Sequence, residues 1–358
     1  MEKKLKIAFL SFFSGEIERG VEVYVHELAN HLADFGHEVL VIQNGLKVEG
    51  SKYKTISIGM KIWGGLGSYG PATWPYYHFL NGVFTLRALK FIKEDLDVVF
   101  PTNNMLQSLF IKIWSMKNKV KFVISAQSGL GLDDRINAWL FPDAFVALTG
   151  FQERWIQRNN SKIKTIVIPN GVNVSEFGLQ VKPYKHNLPG KVILNVAALT
   201  FWKRQELAIK AVSRLKDISL LLVGQGEDKE KLERLGKRFL PGRFKIISSR
   251  HDEMPSIYTS ADVFTFPTAS WESFGIVLIE AMASGLPVVA ADDPIRREIV
   301  GDAGLFVDPT DTKAYAAALQ KALDANWGDK PRRQAEKFDW DKIALKYEKL
   351  FLELCSKR

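Results

Sequence analysis

The sequence predicts an α/β protein built as two doubly wound, Rossmann-like domains. Short apolar runs of the kind that form buried parallel strands alternate with segments of helical period along most of the chain. The alternation lapses between Phe177 and Gly190, a stretch with two prolines and two glycines that reads as a linker. At 358 residues the chain is too long for one compact core and suits two of moderate size. The boundaries expected are 1–175 and 176–339.

In the first half the apolar run Leu5 to Phe13 predicts a strand, followed by a polar, glycine-bearing loop from Ser14 to Gly20. Val21, Val25, Leu28, Leu32 and Phe35 then recur at helical spacing, and Gly36 stands just past the helix end. Val39 to Ile42 is the next strand, so strand, helix and strand form a βαβ unit. Residues 57–82 are rich in glycine, proline and aromatics and read as a loop. A basic helix is expected over Val83–Lys93 and another over Leu106–Trp114. Strands are expected at Val98–Pro101, Phe122–Ser125 and Phe145–Leu148, and a short strand and turn at Ile166–Val172.

The second half is punctuated more clearly. Strands are expected at Val192–Ala197, Leu220–Val223, Phe244–Ile247, Val263–Phe266, Val288–Ala291 and Leu305–Val307. Helices are expected at Arg204–Leu215, Lys229–Phe239, Pro255–Ser260, Ile276–Ala283, Ile295–Val300 and Thr312–Leu323. An amphipathic helix from about Trp340 to Leu354 closes the chain.

Composition removes several classes of function. With 46% hydrophobic and 25% charged residues the chain is globular, not disordered. The net charge of +9 is spread: residues 1–170 hold 20 Lys or Arg against 15 Asp or Glu, leaving 29 against 25 for the rest. No basic arm marks a nucleic-acid binder, while anionic substrates or an anionic membrane face suit the mild excess. Peripheral membrane contact is an expectation resting on helix Val83–Lys93 and the aromatic loop 57–82. One cysteine, Cys355, makes neither an intramolecular disulfide nor a zinc cluster, and a reducing compartment is the default. Leu5–Phe13 is short for a signal core, and no run nears the roughly 20 apolar residues of a spanning helix. The expectation is a cytoplasmic protein, with contact at the inner membrane face.

Several motifs fail. Gly224-Gln225-Gly226 lacks the third glycine of the dinucleotide fingerprint, because Lys229 holds that position. His26-Glu27 has no second histidine at zinc-protease spacing, and no Gly-x-Ser-x-Gly elbow occurs. Asp95-Leu96-Asp97 precedes a strand rather than following one, so it reads as a solvated turn and not a metal site.

The stretch from Ala269 to Val289 does carry chemistry. A strand ends at Phe266-Pro267, a loop presents Glu272, and Gly275 opens a helix without a side chain to block close approach. The first backbone N–H groups, of Gly275, Ile276 and Val277, lack helical partners and, with the helix dipole, suit a diphosphate. Glu280 lies about one turn on, within an almost wholly apolar helix where a lone carboxylate is costly without a partner. Carboxylates accept hydrogen bonds of the kind sugar hydroxyls offer, so Glu280 suits a ribose and Glu272 a donated sugar.

Glu272-Ser273-Phe274-Gly275, four residues and Glu280 together resemble the Glu-x7-Glu signature of retaining glycosyltransferases of the GT-B fold, specifically glycosyltransferase family 4. The likeness covers nearly the whole chain. Ile168-Pro169-Asn170-Gly171-Val172-Asn173 is similar to the family's hinge-side segment, Val196 to Lys203 to the strand and loop with a phosphate-binding lysine, and Leu222 to Gly226 to its Val-Gly-x-Gly turn. Pro255 to Val263 resembles the segment before the signature; Gly20-Val21-Glu22 and Gly36-His37-Glu38-Val39 resemble the first βαβ unit.

The resemblance implies two facing Rossmann-like domains with a cleft between them, retention at the anomeric carbon, no metal and no cofactor. It also implies a last helix, within 340–358, that crosses back onto the first domain. The donor is a nucleoside-diphosphate sugar, with UDP or GDP, and the acceptor a glycan, a lipid or a small molecule. By the same resemblance Glu272 contacts the donor sugar, Lys203 neutralises the leaving diphosphate, and Phe274, Gly275, Ile276 and Val277 line diphosphate and sugar. Glu280 binds ribose, His251 lies where the base is contacted, and Gly20 lets the backbone approach the phosphates. Asn170, Arg204 and Gly224 complete the donor side.

Three positions depart from the family pattern. Ala198 stands where an arginine usually precedes the phosphate lysine by five residues, Arg19-Gly20 replaces a glycine pair, and Gln127 replaces a histidine after strand Phe122–Ser125. Gln127 still bonds a sugar hydroxyl but carries no charge; it is placed with Glu272 and Lys203 in the catalytic set. These departures keep a second class open, a non-catalytic nucleotide-sugar-binding subunit of a glycan assembly system. An epimerase or phosphorylase of the same fold is a third, although no setting for a pyridoxal-phosphate lysine is found.

Overall fold

The computed structural model describes residues 3–17, 19–62, 74–92, 95–102, 105–178 and 180–356. The chain divides into two compact units. The first joins Met1–Asn170 to Trp340–Arg358, and the second is Gly171–Asp339.

The first unit runs β1 (Lys6–Ser11), α1 (Gly20–Asp34), β2 (Glu38–Gln43), β3 (Lys54–Ser57), α2 (Trp74–Ala88), β4 (Val98–Pro101), α3 (Met105–Asn118), β5 (Lys121–Ser125), α4 (Leu132–Trp139), β6 (Ala144–Ala147), α5 (Gly150–Asn159) and β7 (Thr165–Val167). Its strands pair in parallel in the order β3-β2-β1-β4-β5-β6-β7. Ile7 to Leu10 of β1 are fully buried, as a central strand covered on both faces requires.

Two expectations here are corrected. Residues 74–82 are not loop. The described helix covers Trp74–Ala88, so it is already present nine residues before Val83 and ends at Ala88; residues 63–73 and Lys93, also part of these expectations, lie outside the described residues. Pro75 and Gly82, which argued for a loop, both lie within the helix. A β-carbon on Gly82 would make only ordinary contact with Phe110 and Leu106 of α3, so the glycine sits in the helix without breaking it. Strand β3 is short and half-exposed, and α4 and α5 are polar, so none announced itself by apolar period.

The second unit runs β8 (Lys191–Val196), α6 (Gln205–Val212), β9 (Ile218–Val223), α7 (Lys229–Phe239), β10 (Phe244–Ile247), α8 (Met254–Tyr258), β11 (Val263–Phe266), α9 (Ile276–Ala283), β12 (Val288–Ala291), α10 (Pro294–Val300), β13 (Gly304–Val307), α11 (Thr312–Asp324) and α12 (Lys330–Ala335). Its parallel sheet has the order β10-β9-β8-β11-β12-β13. Strand order reverses between β8 and β11, the kind of position at which open α/β sheets bind ligands.

The linker expected at 177–190 belongs to this unit. Phe177 is buried, Tyr184 N–H donates to Ser256 O at 2.8 Å, and Lys245 Nζ donates to His186 O at 3.2 Å. The chain passes between units earlier, at Asn170 and Gly171, and returns at Trp340. Helix α13 (Trp340–Ser356) packs in the first unit: Tyr24 Oη donates to Tyr347 Oη at 2.8 Å, and His37 Nε2 lies 3.0 Å from Glu348 Oε1. His37 Nδ1 accepts the Leu5 N–H at 3.2 Å, so Nε2 carries the proton toward Glu348. Among the described residues no helix is long and apolar enough to cross a membrane.

Candidate active site

The two loops at the strand-order reversal of the second unit carry Lys203 and Glu272. Beyond β8 the backbone runs under the Gly224–Gly226 turn. Leu199 N–H donates to Gln225 O at 2.8 Å, and a β-carbon on Gly224 would collide with the Ala197 carbonyl. Gly224 therefore has a packing duty: it braces the lysine loop from the neighbouring strand end. Phe201–Lys203 then forms one tight turn, and Arg204 takes a left-handed conformation (φ +55°) that reverses the chain into α6. Its guanidinium lies 6.0 Å from the Trp271 ring.

Lys203 Nζ donates to Glu272 Oε2 at 2.6 Å and stands 5.4 Å from the Phe266 ring centroid. The lysine side chain is 14% exposed and the glutamate 17%, so the pair is largely desolvated. Burial pushes the Glu272 carboxyl up, but the charge and hydrogen bond of Lys203, with Arg296 and Thr268, reverse the effect and hold it below the usual 4.5. The loops are stitched together at their bases, where Ala269 N–H donates to Trp202 O at 2.9 Å and Thr268 Oγ1 to the same carbonyl at 3.3 Å.

Gly275 ends the glutamate loop at φ +78°, with the ideal β-carbon position only 3.1 Å from the Phe266 ring. Glycine alone meets both conditions without strain. The first N–H groups of α9 project from its end beside this loop. Phe274 is the exception among the expected lining residues: its ring is buried against Phe338, centroids 5.8 Å apart, so what it offers a ligand is backbone. Ile276 and Val277 are half-buried.

A second cluster forms around Glu280, which is 6% exposed. Tyr258 Oη donates to its Oε2 at 2.7 Å. Burial raises the Glu280 carboxyl above the usual value, opposed by the charge of His251 and by the tyrosine hydrogen bond. Phe177 packs 5.8 Å from Tyr258 and 6.2 Å from His251. Sequence reasoning missed Tyr258 and the fully buried Arg296. The only signal for either was the need of an apolar helix's carboxylate, and of a loop, for partners elsewhere in the chain.

In the first unit, Gln127 and Asn170 face each other. Gln127 Nε2 donates to Asn170 Oδ1 at 2.9 Å, and Asn170 Nδ2 returns a bond to Gln127 Oε1 at 3.2 Å. Gln127 also donates to Ser125 Oγ at 3.1 Å. Gly20 is the first residue of α1, preceded by an extended Arg19, and Glu22 is buried in the first turn. The Asp-x-Asp pair is tied into the sheet: Lys6 N–H donates to Asp97 Oδ2 at 2.9 Å, and the Lys6 ammonium pairs with Asp95. Among the described residues no three or more His, Cys, Asp or Glu converge as a metal site.

Comparison with known proteins places the chain in a family. The profile of "Glycosyltransferase Family 4" matches residues 19–176, and that of "Glycosyl transferases group 1" matches residues 178–338. The phosphatidyl-myo-inositol mannosyltransferase of Mycolicibacterium smegmatis is 28% identical over 97% of this chain and 93% of its own length. The chain belongs to glycosyltransferase family 4. This family 4 glycosyltransferase is therefore an enzyme of glycosyl transfer, and its two parallel-sheet units are those of the GT-B fold. A sucrose-phosphate synthase from Thermosynechococcus elongatus superposes with a TM-score of 0.83 at 21% identity, over 99% of this chain and all of its own. Anabaena HepE, solved in complex with UDP-glucose, superposes at 0.77 and 19% identity, over 97% and 99%. At such identities both show the fold alone.

Proposed function

We propose that this glycosyltransferase moves a hexose from a UDP- or GDP-linked donor to a membrane-borne lipid or glycan acceptor, with retention at the anomeric carbon and without a metal. The observation that carries the proposal is the desolvated Lys203–Glu272 pair beside the start of α9, at the C-terminal ends of β8 and β11. In the transfer the anomeric carbon loses its bond to the diphosphate oxygen and gains one to an acceptor hydroxyl oxygen, whose proton leaves with the diphosphate. Negative charge grows on the diphosphate. Lys203 and the N–H groups at the start of α9 are the fixed positive groups to meet it, and preorganised groups of this kind supply the largest share of catalysis. Glu272 accepts hydrogen bonds from the donated sugar, and Glu280 from ribose. The mannosyltransferase relative and the HepE complex with UDP-glucose support a nucleotide hexose.

A membrane-side acceptor is supported by the first unit. Helices α2 and α3 pack together, as do α3 and α4, and each exposes large apolar side chains: Phe79 (63%), Ile113 (60%), Met116 (67%) and Trp139 (57%). Arg87 of α2 and Lys117 of α3 are exposed, as are Lys90 and Lys119 just beyond these helices. Apolar groups edged by cations suit the anionic inner face of a membrane, and cytoplasmic residence follows from that reading. Ala198 and the reciprocal amide pair of Gln127 keep the non-catalytic binding subunit as the second reading.

The test is nucleotide release from UDP- and GDP-hexoses with lipid and glycan acceptors, comparing wild type with Glu272→Gln. Release should fall by about 100-fold or more in the variant, while circular dichroism stays unchanged. Product anomers read by NMR must match the donor, and chelator must not slow the reaction. An equally active variant sinks the assignment of Glu272. Donor binding without release for any acceptor would favour the binding subunit.

A further inference from the structure

Arg296, in the first turn of α10, is among the largest fully buried side chains of the protein. Its Nε donates to Asp293 Oδ2 at 2.8 Å. One terminal nitrogen donates to the carbonyls of Glu272 at 3.0 Å and Ser273 at 2.7 Å, and the other reaches Ser270 O at 3.4 Å. Asp293 in turn caps α10, its Oδ1 accepting the N–H groups of Ile295 and Arg296 at 3.0 Å each. The guanidinium spans one capping carboxylate and three carbonyls of the loop that presents Glu272.

Such a group is a poor choice for stability alone. Burying a guanidinium and a carboxylate is costly, and an apolar pair of similar volume is often as good or better. What the arginine does that an apolar residue cannot is fix orientation. In a trans peptide the C=O and the following N–H point in opposite directions. Holding the Glu272 and Ser273 carbonyls therefore also turns the N–H groups of Ser273 and Phe274 away from Arg296. The 272–273 and 273–274 peptide planes are thereby set, and with them the direction in which the Glu272 side chain leaves the backbone.

We propose that Arg296, supported by Asp293, is a positioning residue for the transfer step: it orients the Ser270–Ser273 loop so that Glu272 meets the donated sugar, without itself contributing to nucleotide affinity. The proposal rests on the reading of Glu272 as the sugar-contacting carboxylate. It separates two parts of one site. Nucleotide affinity resides with Lys203, the start of α9 and the Glu280–Tyr258 cluster, none of which Arg296 bonds. Sugar placement resides with the loop it holds.

The test uses Arg296→Lys and the paired variant Asp293→Asn/Arg296→Met in the full chain. The pair keeps an oxygen to cap α10, keeps volume at position 296 and leaves no buried charge unpaired, so it retains the fold if the arginine's role is not structural. UDP and GDP are titrated calorimetrically, and kcat and KM are measured with the UDP- or GDP-hexose that turns over. The expectation is a nucleotide Kd within threefold of wild type, a KM within threefold, and a kcat at least 30-fold lower in the paired variant. Arg296→Lys, which keeps a donor and the charge, should recover part of that loss. The acid limb of kcat should move to higher pH in the paired variant, because Glu272 loses a neighbouring cation. A kcat within threefold of wild type, or a nucleotide Kd that weakens in step with kcat, overturns the proposal. Failure of the underlying reading shows differently, as a Glu272→Gln enzyme that releases nucleotide at the wild-type rate.

Discussion

Removing either member of the Lys203–Glu272 pair should destabilise the second unit more than removing both. The nitrogen and oxygen are 2.6 Å apart and the side chains are 14% and 17% exposed, so each charge depends on the other. Breaking a buried pair costs about 3–5 kcal/mol because one charge is left uncompensated. The residual exposure and the help Glu272 has from Arg296 and Thr268 reduce that to about 2 kcal/mol for Lys203→Met and for Glu272→Gln. The double variant leaves neither charge stranded and should cost only about 1–2 kcal/mol, a coupling of about 2–3 kcal/mol. For a unit of this size each kcal/mol is worth about 2–4 °C in Tm. The cycle is measured by thermal and urea unfolding at pH 7 without nucleotide. Because the Glu272 carboxyl is held low, its contribution is fully present above the ordinary value of 4.5 and is lost as pH falls through the lowered one. The coupling should therefore persist at pH 5 and fade only in stronger acid. A coupling below about 0.5 kcal/mol at pH 7, the scatter expected of independent sites, would refute the reasoning.

Two further outcomes follow from the first unit. Burial pushes the Glu22 carboxyl up to about 7, so its contribution to stability is present below the ordinary 4.5 and lost as pH rises through 7. Glu22→Gln should stabilise, and its advantage should grow by about 2 kcal/mol between pH 5.5 and 8.5; equal advantage at both would show that the carboxyl is not desolvated. Phe79→Ser with Ile113→Ser should lower co-sedimentation with anionic vesicles at low salt by about 10-fold, two large apolar contacts being worth at least about 1.4 kcal/mol together; unchanged pelleting, or no pelleting of the wild type, removes the membrane-facing role of α2 and α3.

Most of the second unit was legible in the sequence because its strands are short apolar runs and its elements are cleanly punctuated. Lys229–Phe239, Ile276–Ala283 and the strands at 244–247, 263–266 and 288–291 begin and end where composition changes. The first unit was less legible. Helix α2 carries a proline and a glycine, residue types that argue for a loop when read locally. Helices α4 and α5 are short and mostly polar, and α5 is capped by Thr149 Oγ1 accepting the Gln152 N–H, so neither shows a clear apolar stripe.

Sequence alone determined the residue types of the site: a glycine that opens a helix, one glutamate before it, another inside it, and a lysine after an earlier strand. These follow from local constraints, since φ above zero, an exposed helix start and a carboxylate in an apolar helix are properties of short segments. Only the tertiary structure decided which of them meet. Lys203 and Glu272, 69 positions apart, pair because strand order reverses between β8 and β11, so that their loops leave the same edge of the sheet. It also decided that Phe274 turns inward, that Tyr258 completes Glu280 and that a buried arginine holds the Glu272 loop. Each of these satisfies a buried polar or apolar group from a distant part of the chain, and no local pattern specifies a partner that only folding brings near.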